Sequence, residues 1–188
     1  NTSKKDEIIK IDMTNKLQDI QSSNHYIIGI DPDVERNGYA LIDLETRTVT
    51  VDTIELPQLI DTISRQRTIA DMEGKHLTVY VEAGWLIQSN WHLTFRDSKQ
   101  RAAAKGKAVG RNHQRGMDIC ELLKFNGISV VQVPPLRKIW GGNDYKITHD
   151  ELVEVVGPVK HTNQEGRDAA LLAWVHAGLP VRLTKRRH

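Results

Sequence analysis

Three short apolar runs follow a polar opening stretch. Residues 25–31, 37–44 and 48–54 are rich in Ile, Val, Leu, Tyr and Thr and are separated by polar breaks, which predicts three strands. Within 48–54, Val49, Val51 and Thr53 alternate with other residues, the period of a strand. Pro57 then opens a predicted helix with Leu59, Ile60, Ile63 and Ile69 on one face. Residues 77–81 form another apolar run, ending at Glu82. From 84 to 105 the pattern is irregular and carries Trp85, Trp91 and Phe95. A helix is predicted from there to about Phe125, with Met117, Ile119, Cys120, Leu122 and Leu123 toward the core and Asn126-Gly127 as its stop. Residues 128–133 read as a strand ended by Pro134-Pro135. Thr148 is placed to cap a short helix through Val156, with Glu151 completing a capping box. A last helix spans about 163–177 and stops at Gly178-Leu179-Pro180. Strands first, then strands alternating with helices, predict an α/β fold: a mixed sheet with helices packed on it. Residues 1–24, polar with spaced apolar positions, read as an N-terminal extension, and 181–188 as a basic C-terminal tail.

The length of 188 residues, with 39% hydrophobic and 27% charged positions, suits one globular domain with its own core, here 25–180. The single cysteine, Cys120, excludes an intrachain disulfide and fits a reducing cytoplasm, as a buried structural thiol. No apolar run reaches the length of a membrane span, so no membrane partner is expected. The net charge of +2 says little by itself, but its distribution is uneven. Arg96, Lys99, Arg101, Lys105, Lys107, Arg111 and Arg115 share one segment in which only Asp97 is acidic, and Lys185, Arg186 and Arg187 close the chain. Such clusters suit phosphate binding or a solvated face.

Four carboxylates stand in comparable places. Asp31 ends the first predicted strand, before a Pro32-Asp33 turn, and Glu82 ends the 77–81 run. Glu165 and Asp168 are three apart at the start of the last helix, hence on one face, and that helix then turns apolar. Each has a plain structural reading: Asp31 in a hairpin turn, Glu82 paired with an arginine, Glu165 and Asp168 favouring a helix N-terminus. Taken together, they converge if the two strands are neighbours. Converging carboxylates repel unless a cation holds them, and an all-acid set favours Mg²⁺ or Mn²⁺ over Zn²⁺. His149, His161 and His176 invite a general-base role, with His161 best placed, alongside surface or capping roles.

These residues carry a resemblance. Ile30-Asp31-Pro32-Asp33 with Asn37-Gly38-Tyr39, Glu82 with Trp85, Gln114-Arg115-Gly116, Pro134 with Lys138, Gly141-Gly142 and Lys146, and Glu165-Gly166-Arg167-Asp168-Ala169 follow one another in order. The chain resembles the RuvC-type Holliday junction resolvases of the RNase H-like nuclease superfamily, over about residues 25–178. Two departures stand out. Asp33 occupies a turn position where the family has Gly, so that backbone must tolerate a Cβ. Glu165 replaces an Asp and lengthens a ligand by one methylene. The stretch between Trp85 and Gln114 is also longer than its family counterpart.

The resemblance implies an RNase H-like mixed sheet with helices on both faces. It also implies metal-dependent hydrolysis of DNA phosphodiesters at four-way junctions by a homodimer. Asp31, Glu82, Glu165 and Asp168 would be the catalytic and metal-binding residues. Lys138 and Lys146 would contact phosphates near the cut, Lys105, Lys107, Arg111 and Arg115 would hold DNA arms, and Trp85 would stack on an unpaired base. For Trp85 a loop-anchoring role stays open, and for the two lysines a solvated one. The competing readings are another RNase H-like nuclease acting on flaps, hybrids or transposon ends, and a non-catalytic DNA-structure binder on the same fold. A sugar-kinase or actin-like ATPase shares the opening hairpin, but the chain lacks a Gly-rich Lys-Ser/Thr phosphate loop.

Overall fold

A computed structural model of the chain describes residues 24–87 and 98–182. Nearly all of the expected N-terminal extension, the positions of Trp91, Phe95 and Arg96, and the basic residues Lys185, Arg186 and Arg187 lie outside the described residues. The apolar runs form strands β1 (His25–Asp31), β2 (Asn37–Asp43), β3 (Thr48–Ile54), β4 (His76–Glu82) and β5 (Val130–Val133). The helices are α1 (Leu56–Glu73), α2 (Lys99–Phe125), α3 (His149–Val156) and α4 (Gln164–His176).

The strands make one five-stranded sheet in the order β3-β2-β1-β4-β5. β1, β2 and β3 form an antiparallel meander, while β4 runs parallel to β1 and β5 parallel to β4. This mixed order, with helices on both faces, is the RNase H-like arrangement. β1 lies at the centre, and Ile27, Ile28 and Ile30 are fully buried, as a strand covered on both faces requires. Alternation sends Ile28 and Ile30, with Val79 and Val81 of β4, toward Leu59 and Ile63 of α1 and Ile119, Cys120 and Leu123 of α2. Ile27, with Ala40 and Ile42 of β2 and Tyr80 of β4, packs under Leu152 of α3 and Ala169, Leu172 and Ala173 of α4.

Helix α4 lies directly on the sheet because two glycines make room for it. A Cβ on Gly29 would collide with the Ala169 carbonyl oxygen and stand 2.9 Å from the Ala173 Cβ. A Cβ on Gly38 would collide with the Glu165 carbonyl. Asn163 caps the helix, its side chain accepting from the Gly166 N–H at 3.1 Å. The α3 capping box forms as expected, with Thr148 accepting from the Glu151 N–H and Glu151 accepting from the Thr148 N–H.

Three local expectations are corrected. Helix α2 starts at Lys99, inside the stretch expected to be irregular, because Ser98 caps it by accepting from the Arg101 N–H. Met117 and Leu122 are exposed; the buried face is Gly116, Ile119, Cys120 and Leu123, spaced by three, one and three residues, and the other two fall beside that stripe. Strand β5 starts at Val130 rather than 128. The Ile128 N–H instead donates to Leu123 O across Gly127, whose φ of 71° closes the helix.

The tight seat of α4 yields a prediction. Gly29→Ala should destabilise the fold by about 1–3 kcal/mol, the range for overpacking a close-packed contact. The exposed Gly74→Ala is the comparison for ordinary left-handed strain at a helix end. Urea unfolding of both variants measures it, and a Gly29→Ala midpoint equal to wild type would contradict the close approach.

Candidate metal and nucleic-acid site

The carboxylates meet at one end of the sheet because β1 and β4 are parallel neighbours in matched register. Ile30 pairs with Val81, so Asp31 and Glu82 leave the sheet side by side at the C-terminal ends of their strands. The seat of α4 on Gly29 and Gly38 brings its first turns to the same end. Asp168 arrives there, with its Oδ1 accepting from Gln164 Nε2 at 2.7 Å and its Oδ2 3.6 Å from Lys146 Nζ.

The electrostatics show how closely these groups sense one another. Recession from solvent holds the Asp31 carboxyl well above the usual carboxylate range. The charges of Glu82 and Asp168 push it further, Lys146 opposes them, and Glu165 adds the smallest of the named contributions. Glu82 is raised from 4.5 to about 7, first by burial and then by Asp168, against the pull of Lys138 and Lys146. Asp168 is raised by burial, while Lys146, Gln164 and Lys138 lower it. Burial at this end of the sheet therefore disfavours ionisation of all three carboxyls, with two lysines as the counter-charge. The Glu165 backbone lies against Gly38, and its charge reaches Asp31.

Among the described residues, no three His, Cys, Asp or Glu side chains are already gathered as a metal cage. The donor set itself suits a hard divalent cation. It is all oxygen, anionic and repulsive until neutralised. Asp31, Glu82 and Asp168 are the residues placed to hold one, with Glu165 next to them.

The turn after β1 is fixed from several sides. Asp33 does not adopt a positive φ, so its Cβ is accommodated without strain. Its Oδ1 accepts from the Glu35 N–H at 2.9 Å, and its own N–H donates to Asn37 Oδ1 at 3.2 Å. Asn37 is buried and donates to Ile54 O at 3.1 Å. Helix α2 docks on the same turn. Arg115 donates to Val34 O at 2.9 Å, and Asn112 Nδ2 lies 3.4 Å from Asp33 Oδ2.

Trp85 follows β4 in a short 3-10 turn (Gly84–Leu86) and is half-buried. A Cβ on Gly116 would collide with its ring and lie 3.2 Å from Pro32 Cγ, and His113 meets the ring edge-on at 6.2 Å. The Gln114-Arg115-Gly116 step thus has a packing meaning: Gly116 admits Trp85 and Arg115 ties the acid-bearing turn. Lys107 and Arg111 are exposed on the N-terminal part of α2, and Lys105 is half-buried there. All the buried positions of that helix come after it, from Gly116 onward. At about 1.5 Å per residue, the part before Gly116 reaches roughly 25 Å.

His161 is exposed and tilts against His149 at 4.7 Å, flanking a cleft lined by Val51, Thr53, Lys160 and Arg167. His176 stacks on Tyr80 at 4.9 Å at the far end of α4, and burial lowers its pKa. Two functional neighbours were not singled out from the sequence. Gln164 sits one helical turn before Asp168, a spacing that marks them as partners. Arg167 donates to Ile147 O at 3.1 Å and to Thr162 O, anchoring the segment that carries Lys146.

No family model matches the chain, and no curated protein matches it. Among solved structures, the chain is similar to T. thermophilus RuvC in complex with Holliday junction substrate, at 14% identity and a TM-score of 0.43 over 81% of this chain and 92% of that one. No described helix is long and apolar enough to cross a membrane.

The raised Glu82 fixes a sign for pH dependence. Between about 4.5 and 7 the folded chain holds a proton that the unfolded chain has released, so metal-free stability falls as pH rises through that window. Melting temperatures measured in chelator from pH 4.5 to 7.5 should fall with pH, less steeply in Glu82→Gln. Mg²⁺ or Mn²⁺ should restore stability most at the high-pH end. A Glu82→Gln profile identical to wild type would show that Glu82 does not titrate in this window.

Proposed function

We propose that this chain is a metal-dependent, structure-specific DNA endonuclease acting on branched DNA, with four-way junctions as its substrate. The observation that carries the reading is the convergence of Asp31, Glu82 and Asp168 at the ends of adjacent parallel strands and the start of α4, faced by Lys138 and Lys146. Mg²⁺ or Mn²⁺ bound there would supply an activated water and neutralise charge on the scissile phosphate. Asp31, the most recessed acid, would be the central ligand, with Glu82, Asp168 and Glu165 around it. Lys146 Nζ lies 3.6 Å from Asp168 Oδ2 and would turn to a phosphate oxygen on DNA binding. Lys138, exposed beside it, would hold the neighbouring phosphate.

The N-terminal half of α2 fits the arms of such a substrate. It projects beyond the core with Lys105, Lys107 and Arg111 and has no acid before Asp118. Arg115 would position DNA indirectly, since its guanidinium is engaged by the β1–β2 turn. Trp85 anchors the loop after β4 and would offer the remainder of its ring to a base. Cutting two opposed strands calls for two such sites, so a symmetric homodimer belongs to the same proposal. The charge on the α2 arm favours a nucleic-acid substrate over the nucleotide of an ATPase.

Two outcomes test this. Wild type should cleave a labelled four-way junction with Mg²⁺ and not in chelator. Asp31→Asn should lower the rate by at least about a thousandfold, roughly the loss of a metal's several kcal/mol of transition-state stabilisation, while keeping junction binding. Near-wild-type cleavage by Asp31→Asn would remove Asp31 from the centre. Replacing Lys105, Lys107 and Arg111 together by Ala should weaken junction and duplex binding alike. It should also flatten the slope of log affinity against log salt by up to about 2.7, at roughly 0.9 per phosphate contact. An unchanged slope would place the DNA elsewhere.

A further inference from the structure

Between β5 and α3 the chain makes a small hairpin that the catalytic reading uses only for its lysines. Trp140 and Ile147 are buried and root it in the core. The Trp140 N–H donates to Tyr145 O at 3.0 Å and the Gly142 N–H to Lys146 O at 3.0 Å. The Gly141 N–H donates to both Glu151 carboxylate oxygens, at 2.8 and 3.1 Å. Gln164 and Arg167 hold Ile147 O from the other side, at 3.3 and 3.1 Å. The hairpin is therefore pinned to the capping box of α3 and to the helix that carries Asp168.

Its tip breaks a conformational rule. Asp144 and Tyr145 are consecutive residues with φ of 54° and 56°. Asp visits the left-handed region readily, but a bulky aromatic there is an outlier, and Gly or Asn is the residue such a turn selects. Strain of this kind persists where the surroundings over-determine it and points to a use. The side chain so placed is 70% exposed, and Ile139 on the opposite limb is 72% exposed. Both are direct chain neighbours of the lysines facing the carboxylates: Ile139 follows Lys138, and Tyr145 precedes Lys146, whose Nζ reaches Asp168.

We propose that Tyr145 is a base-reading wedge: its ring stacks on an unpaired base at the branch point while Lys146, the next residue, holds the adjoining backbone at the carboxylate site. The inference rests on the branched-DNA reading above and adds the residue that selects the branch. An intact duplex presents base edges and phosphates, which charge contacts serve equally well. A base face is offered only where pairing is broken, and an aromatic ring on a pinned turn is suited to take it. Trp85 differs in kind, since its ring is half-buried, packed against Gly116 and met edge-on by His113. Tyr145 is the exposed aromatic of the pair, and Ile139 would line the other side of the opened step.

The test uses the full chain in Ca²⁺ without cleavage. Affinities for a four-way junction and a matched linear duplex are measured by fluorescence anisotropy, with 2-aminopurine at the branch point reporting unstacking. Tyr145→Phe should bind the junction as wild type does, because stacking needs the ring and not the hydroxyl. Tyr145→Gly and Tyr145→Asn, both suited to positive φ, should melt at or above the wild-type temperature. They should lose roughly 5- to 150-fold in junction affinity, the span of one base–aromatic stack, lose the 2-aminopurine signal and keep duplex affinity. Junction affinity at wild-type level in these two variants would overturn the wedge while leaving the nuclease reading intact. Loss on both DNAs with a lowered melting temperature would make Tyr145 a fold residue and overturn it too. Wild type binding junction and duplex equally would fell the branched-DNA reading itself, and the wedge with it.

Discussion

The seat of α4 on Gly29 and Gly38 decides where the acid of the last helix ends up. Without side chains at those two points of β1 and β2, the helix backbone approaches the sheet backbone directly. The first turns of α4 are then level with the ends of β1 and β4. Asp168 is thereby delivered beside two carboxylates that come from strands more than eighty residues earlier in the chain. The same contact carries Gln164 and Arg167 to the carbonyl of Ile147, so the hairpin bearing Lys146 is fixed by the helix bearing Asp168. One packing decision sets the acids, their counter-charge and the aromatic tip together.

That arrangement stores electrostatic energy rather than releasing it. Burial keeps Asp31, Glu82 and Asp168 above their ordinary pKa values, neighbouring carboxylates push Asp31 and Glu82 further, and the lysines offset only part of this. At the opposite end of the sheet, Asp43 and Glu45 are closed off by Lys75 at 3.1 and 2.8 Å. The contrast fits the proposal that the first end takes an external cation, while the second is a structural clasp. Burying these carboxyls costs stability, and perturbed carboxyl groups of this kind cluster at functional sites in general.

Much of this was legible in the sequence because it is local. Strand periods, the capping box at Thr148 and Glu151, and acids at strand ends are read within a few residues. The start of α2 was not legible, because its N-terminal half has no fully buried position and so leaves no apolar period. Met117 and Leu122 read as core from apolarity alone, but a helix stripe is narrow and both lie just off the Gly116–Ile119–Leu123 line. The neighbouring of β1 and β4 is a long-range parallel pairing that local pattern cannot encode. The packing of Trp85 into the space left by Gly116 joins two distant motifs and became visible only in three dimensions. The strain at Tyr145 is likewise silent in the sequence.

The central claim is that the end of the sheet shared by Asp31, Glu82 and Asp168 is a divalent-metal centre. A crystal of the protein soaked in Mn²⁺, with diffraction recorded at the manganese absorption edge, tests it most directly. The account predicts an anomalous peak between those three carboxylates, with Lys146 displaced from Asp168, and no such peak in Asp31→Asn crystals. Manganese bound elsewhere, with Asp168 still paired to Lys146 and no density between the acids, would contradict it.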